Sequence, residues 1–126
     1  MFRIGISVPG GVDDASGQII FTPNIQFSGI NIVNLLSKEF ENTIIGVIND
    51  ANAALLAELI VGSAKGMQNA VMITIGTGIG GAIAINGKIV SGSNGAAGEL
   101  GHIVVQRNGK QCSCGNDAGI IGAAFA

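Results

Sequence analysis

Three groups of residues in this sequence combine types and spacings that can do chemistry. Asn49 and Asp50 stand at the end of the apolar run Thr43 to Ile48. A carboxylate at the C-terminal end of a buried strand sits where open α/β sheets bind ligands. Asp50 could take a proton there from a substrate hydroxyl, with Asn49 placing a second hydroxyl. The plainer role for Asp50 is the N-cap of a helix that begins at Ala51, and the two roles are compatible if one carboxylate oxygen holds a backbone amide. The second group is Gly76-Thr77-Gly78-Ile79-Gly80-Gly81. It lacks the following helix of a dinucleotide fingerprint and the Gly-Lys-Ser/Thr ending of a Walker A loop. Glycines between two strands can still aim several N–H groups at one phosphate, with Thr77 adding a hydroxyl. The alternative is a tight hairpin packed on another backbone. The third group is Glu99-Leu100-Gly101-His102 followed by Cys112-Ser113-Cys114. His102, Cys112 and Cys114 are three good Zn²⁺ ligands, whereas a structural site takes four. No second His or third Cys exists, so the alternative is a polar loop with two incidental thiols.

These groups need elements to position them. Arg3 to Val8 alternates and ends in Pro9-Gly10-Gly11, a strand and a tight turn. Asp13 to Gly17 reads as a turn and Ile19 to Phe21 as a short strand. After Ser28-Gly29, residues Ile30, Val33, Leu35 and Leu36 share one helical face, with Asn31, Asn34 and Lys38 on the other. Thr43 to Ile48 is apolar enough for a parallel strand buried on both faces. Ala51 to Val61 follows as a helix, apolar nearly all round and therefore expected to be buried. Strand, polar junction and helix make one α/β unit. Ala70 to Ile75 and Ala82 to Ile85 flank the glycine group as strands, and Asn86-Gly87 signals a hairpin into Lys88 to Val90. Gly92 to Gly98 reads as a loop, His102 to Val105 as a short strand, Asn108-Gly109 as a turn, and residues 118 to 126 as a small-residue helix.

Composition narrows the function classes. The chain has 126 residues and a formal net charge of −2, with 48% apolar and 11% charged residues. Average charged usage is about 25%, so an isolated monomer would be unusually apolar outside, and a homo-oligomer is expected. The length fits one domain. The mild negative charge argues against nucleic acid. No run of about 18 apolar residues supports a membrane span, and the N-terminus does not resemble a signal peptide. Two Cys one residue apart do not staple a fold of this size, and they fit a reducing cytoplasm.

Taken in order, the segments resemble the ROK family of repressors, open reading frames and sugar kinases. GISVPGGVD (5–13) looks like the family's sugar-side Pro-Gly turn, and Pro23-Asn24 like its short PN element. NDANAALLAE (49–58) resembles the catalytic helix start, and IGTGIGGAI (75–83) the second phosphate loop. GAAGELGHIVV (95–105) resembles the sugar-binding E-x-G-H segment, and CSCGN (112–116) opens like the zinc motif. The resemblance implies an α/β fold of the actin-like ATPase type, related to hexokinase and ribonuclease H, with a mixed sheet and flanking helices. It implies ATP and Mg²⁺ as cofactors and a hexose or N-acetylhexosamine as substrate. By position, Asp50 would be the general base. Gly10, Asn24, Asn49, Glu99 and His102 would hold the sugar. Gly76, Thr77, Gly78 and Gly80 would face the ATP phosphates. His102, Cys112 and Cys114 would ligate Zn²⁺. Residues 1–62 would correspond to the end of the first lobe and 63–126 to the start of the second.

The sequence departs from the family in two places. The N-terminal phosphate loop of the type Asp-x-Gly-Gly-Thr is absent. The zinc motif does not finish, because Ala118, Gly119 and Ile121 take the places of its last Gly, Cys and Glu. DAGIIGAA (117–124) instead resembles the family's final adenosine-side helix. The expectation is an N-terminally truncated and internally shortened ROK kinase, with a sequence variant inside the zinc loop as the alternative. A non-catalytic sugar-binding or regulatory module is the second reading. An inactive fragment that folds by self-association is the third.

Overall fold

The computed structural model describes residues 1–22, 25–76 and 78–112. Strand β1 (Phe2–Val8) pairs in parallel with β4 (Thr43–Asn49), with Val8 opposite Asn49, so both strands end at the same level. Between them, β2 (Gly11–Asp13) and β3 (Gln18–Phe21) form an antiparallel pair with a bulge at Gly11/Val12. The short helix α1 (Ile32–Leu36) follows, capped by the Asn31 side chain on the Asn34 amide. It is shorter than the apolar spacing predicts.

Helix α2 (Asp50–Val61) leaves β4 without a loop. An antiparallel sheet then orders β5 (Ala70–Ile75), β6 (Ile79–Ile85) and β7 (Lys88–Ile89). Asn86 and Gly87 both have positive φ, which matches the right-handed twist of the flanking strands and closes the predicted hairpin. A single 3₁₀ turn (Leu100–His102) packs on β6.

Two small cores hold these elements. Val8, Val12, Ile19 and Val47 bury together, with Ile6, Ile32 and Val33 against them. Ala51, Leu55, Ala82 and Ala84 form the other core, flanked by Leu59, Ala70, Met72 and Ile89.

Several expectations change. The β4 strand is parallel but not buried on both faces, since Ile44 is 46% exposed. Helix α2 buries one stripe, while Leu56, Ile60 and Val61 face outward. Residues 102–105 are not a strand. His102 ends the 3₁₀ turn, and Ile103, Val104 and Val105 are all exposed, without a partner strand among the described residues. The predicted helix over 118–126 lies outside the described residues. No described helix is long and apolar enough to cross a membrane.

Candidate functional site

The parallel pair delivers the first part of the site. Because β1 and β4 end together, the turn after Val8 and the start of α2 lie side by side. Gly10 adopts φ +99, and a Cβ there would sit 2.2 Å from the Phe21 carbonyl oxygen, so only glycine fits. The Asn49 Nδ2 donates to the Gly10 carbonyl at 3.0 Å. The Asn49 Oδ1 accepts from the Asn52 amide at 3.1 Å. Asn49 is therefore the N-cap of α2, and Asp50 is its first residue. This corrects the reading of Asp50 as cap. Asp50 is exposed, and its Oδ1 accepts from the adjacent Ala51 amide at 2.9 Å. Its carboxylate stands at a helix N-terminus, where the macrodipole favours negative charge.

Strand β6 brings in the other two parts through its glycines. Successive residues of a strand face opposite sides. A Cβ on Gly80 would lie 3.4 Å from the Ala51 Cβ, on the α2 side. A Cβ on Gly81 would lie 2.6 Å from Leu100 Cγ, on the far side. Segment 98–102 presses directly on the β6 backbone. A Cβ on Gly98 would approach the Gly81 carbonyl oxygen to 2.3 Å, and one on Gly101 the Ile79 carbonyl oxygen to 1.9 Å. The start of α2 and the Glu99–His102 segment thus pack on opposite faces of β6 around Ile79 to Gly81, where the glycine hairpin begins the strand.

The hairpin closes with the Gly76 amide donating to the Gly78 carbonyl at 2.9 Å. A Cβ on Gly76 would meet none of the described residues within 4 Å beyond its chain neighbours. Gly80 lies instead in the packing against Ala51 and Thr74. Thr77 lies outside the described residues, as do Asn24 and Cys114.

His102 is flanked on both ring nitrogens. Nε2 lies 3.5 Å from Glu99 Oε2, and Nδ1 lies 3.7 Å from Cys112 Sγ. Zn–N and Zn–S bonds at a tetrahedral angle separate N and S by about 3.5 Å. The pair therefore fits one edge of a zinc tetrahedron. Among the described residues, no group of three His, Cys, Asp or Glu gathers for a metal.

Three features escaped sequence reasoning. Asn52 is 5% exposed, and among the described residues its Oδ1 has no hydrogen-bond partner. A polar residue beside Ala51 on the buried helix stripe was a readable signal for it. Ser91 Oγ donates to Asp14 Oδ2 across 77 positions of sequence, and Gly95 packs on the Val12 carbonyl. Nothing local announces either contact. They close a cleft of about 470 Å³ between the β2–β3 pair and residues 91–95, which none of the predicted site residues lines.

The ROK family model matches residues 1–123. This chain belongs to the ROK family. It is 42% identical over 116 residues to a glucokinase of Halalkalibacterium halodurans, covering 91% of this chain and 35% of that protein. It is 39% identical over 116 residues to a xylose repressor of Bacillus spizizenii, covering 92% of this chain and 30% of the repressor. A ROK family glucokinase from Streptomyces griseus, solved with glucose and AMPPNP, superposes with a TM-score of 0.84 at 35% identity. That match covers 94% of this chain and 38% of the other. The ROK chain therefore spans about a third of the length of these relatives. Its mixed α/β arrangement is that of the actin-like ATPase fold of ROK sugar kinases. Kinases and repressors both stand among its relatives.

Proposed function

We propose that this chain carries the sugar-side and catalytic part of a ROK-type sugar kinase, which transfers the ATP γ-phosphate to a hexose or N-acetylhexosamine hydroxyl. One observation supports the reading. The start of α2, which carries Asp50, and the segment that carries Glu99 and His102 pack on opposite faces of the first residues of β6, next to the glycine hairpin. In the proposed step, Asp50 accepts the proton of the attacking hydroxyl. An O–P bond forms to the γ-phosphorus, the bond to the bridging oxygen breaks, and ADP leaves. Glu99, His102, Asn49, Asn24 and the Gly10 turn orient the sugar. Gly76, Thr77 and Gly78 face the phosphates, and Gly80 lets the hairpin sit close to α2. Positioning and charge stabilisation suffice for phosphoryl transfer. Mg²⁺, when bound with ATP, neutralises phosphate charge. Zn²⁺ on His102, Cys112 and Cys114 would tie the 3₁₀ turn to the segment that follows it.

Residues 1–62 are assigned to the end of one lobe and 63–126 to the start of the next. A cytoplasmic location and self-association complete the reading, the latter supported by the exposed Val71, Ile73 and Ile75 on β5. The acidic balance favours a sugar, not a nucleic acid, as direct ligand.

Transfer from ATP to a panel of hexoses and N-acetylhexosamines, read by mass, tests the proposal. A phosphosugar made by the parent chain and lost in Asp50→Asn supports it. Sugar binding without any product favours the second reading, a sugar-responsive regulatory protein. The similarity to the xylose repressor is the observation behind that alternative.

A further inference from the structure

We propose that β5 is a self-pairing edge: two copies of this chain join β5 to β5 about a two-fold axis at Ile73, making one antiparallel sheet in the order β7-β6-β5-β5-β6-β7. The pairing rests on the self-association proposed above and gives it a register. It does not depend on the kinase reading.

The two hairpins decide which backbone groups of β5 are free. The Gly76 amide donates to the Gly78 carbonyl and the Val90 amide to the Ile83 carbonyl, both at 2.9 Å. Along an antiparallel ladder, hydrogen-bonded pairs alternate with non-bonded ones. Counting back from Gly76, the bonded positions of β5 are Ala70, Met72 and Thr74, opposite Ala84, Ala82 and Gly80. Ile83 agrees, because its carbonyl faces Val90, and Val71 opposite it is then a non-bonded position. The N–H and C=O groups of Val71, Ile73 and Ile75 therefore point away from β6. No described strand pairs with that edge, and β5 packs chiefly on β6 and α2. The same three residues are 67%, 56% and 84% exposed, while Ala70 and Met72 pack against the core under α2.

A two-fold axis fits these groups best in one register. Opposite residues of two strands share a face of the sheet, and an axis perpendicular to the sheet keeps each residue on its face. Partners are therefore both odd-numbered or both even-numbered. With the axis at Ile73, Ile73 faces Ile73 and Val71 faces Ile75, so all three residues meet bonding partners. Every other register pairs two of them or fewer. No like charges oppose each other, because Ala70–Ile75 has no charged residue. The other edges are blunted: β1 carries Arg3 and Gly5, and β7 is two residues long and begins at Lys88. Pairing uses up β5 on both copies, so assembly closes at two. A pairing of six residues stays under about 1,200 Å², the range of transient contacts, so it follows concentration.

The test reads sedimentation over a concentration series, with amide exchange at both ends of it, for the full 126-residue chain. The parent should pass from monomer to dimer and no further. Where about nine tenths of the chain is paired, the amides of Val71, Ile73 and Ile75 should exchange about tenfold slower than in the monomer, and those of Ala70, Met72 and Thr74 should not change. Ile73→Pro removes a donor that faces the edge, where a strand tolerates proline, and should weaken dimerisation about tenfold. Ile73→Val keeps the donor and should stay within about threefold of the parent. Should Ile73→Pro fail to fold, the parent's exchange pattern decides alone. A dimer in which the three amides still exchange fast, or growth beyond two copies, overturns this register and leaves self-association standing. A monomer at every concentration removes both. Slow exchange of the three amides in such a monomer would mean that residues 113–126 cover the edge.

Discussion

The corner at the ends of β1 and β4 and the glycine strand β6 position site residues by opposite means. At the corner, side chains do the placing. Asn49 bonds to Gly10 and Asn52, and Asp50 receives the Ala51 amide. Along β6, the absence of side chains does it. Gly80 admits Ala51, Gly81 admits Leu100, and Gly98 and Gly101 rest on carbonyl oxygens of β6. The two devices fail differently. A lost neutral hydrogen bond costs about 1 kcal/mol and leaves the backbone where it was. An added Cβ against a backbone carbonyl has no flexible atom to push aside, so the segment itself must move.

The largest expected effect breaks function at the corner while sparing the fold. Asp50→Asn should lower transfer by about 10² to 10⁴, the range for loss of a general base. It should lower stability by no more than about 0.5 kcal/mol, the share of the lost charge at the helix N-terminus, because the Asn carbonyl oxygen still accepts from Ala51. Parallel loss of activity and stability would erase the contrast with β6. The next effect runs the other way. Gly101→Ala should destabilise by about 3 kcal/mol, since its Cβ would lie 1.9 Å from the Ile79 carbonyl oxygen. Gly5→Ala is the control, because none of the described residues beyond its chain neighbours lies within 4 Å of that Cβ. Equal stability of the two variants in urea would show that segment 98–102 is not seated on β6.

A third effect concerns association more than stability. The β5 strand has no charged residue, no Pro and no Gly, and one of its edges is unpaired among the described residues. Such an edge invites pairing with another chain. Ile73→Lys should shift sedimentation towards the monomer and alter stability by only about 0.5 kcal/mol, as for surface substitutions generally. A parent chain that is already monomeric at all concentrations removes the expectation of self-association.

The sequence made the local pairings legible and left the tertiary ones hidden. The β-branched run at 43–48 announced a parallel strand, and Asn86-Gly87 announced a hairpin, because twist and backbone handedness are local properties. The cap was misplaced by one residue. Asn49 and Asp50 both cap well, and only the reach to Gly10 makes Asn49 the better placed of the two. Residues 102–105 have strand propensity in Ile103, Val104 and Val105, but the contact of Gly101 with Ile79 turns the chain before a strand can form. Propensity yields to such contacts. The outward face of α2 was equally invisible, since an apolar helix does not say which of its sides will find a partner. For the candidate site, the Glu99–His102–Cys112 neighbourhood was readable from motif order, while the β6 glycines that seat it looked like loop residues.

The smallest effect tests whether a side-chain device of the corner's kind also works at the far end of α2. Glu58 Oε2 accepts from the Ser63 amide at 2.7 Å and from the Ser63 hydroxyl at 2.8 Å. A carboxylate in the last turn of a helix is disfavoured by the macrodipole. The two Ser63 donors outweigh this, and they hold the Glu58 carboxyl below its ordinary value, against a smaller opposing desolvation. Its folded value is therefore lower than its unfolded one, so the unfolded chain takes up the proton first as pH falls. The contribution is fully present above the ordinary carboxylate range and is lost as pH drops through the lowered folded value. Asp13, held low by Ser16 and Ala15, acts with the same sign. Glu58→Gln should flatten the acid side of the stability–pH curve in part, leaving the share due to Asp13, by lowering stability at neutral pH towards its value in acid, where the two proteins converge. Ser63→Ala should flatten it less, because the backbone donor remains. An acid slope identical in Glu58→Gln and the parent would mean that the Ser63 contacts are too exposed to hold, and that α2 is fixed from its N-terminal end alone.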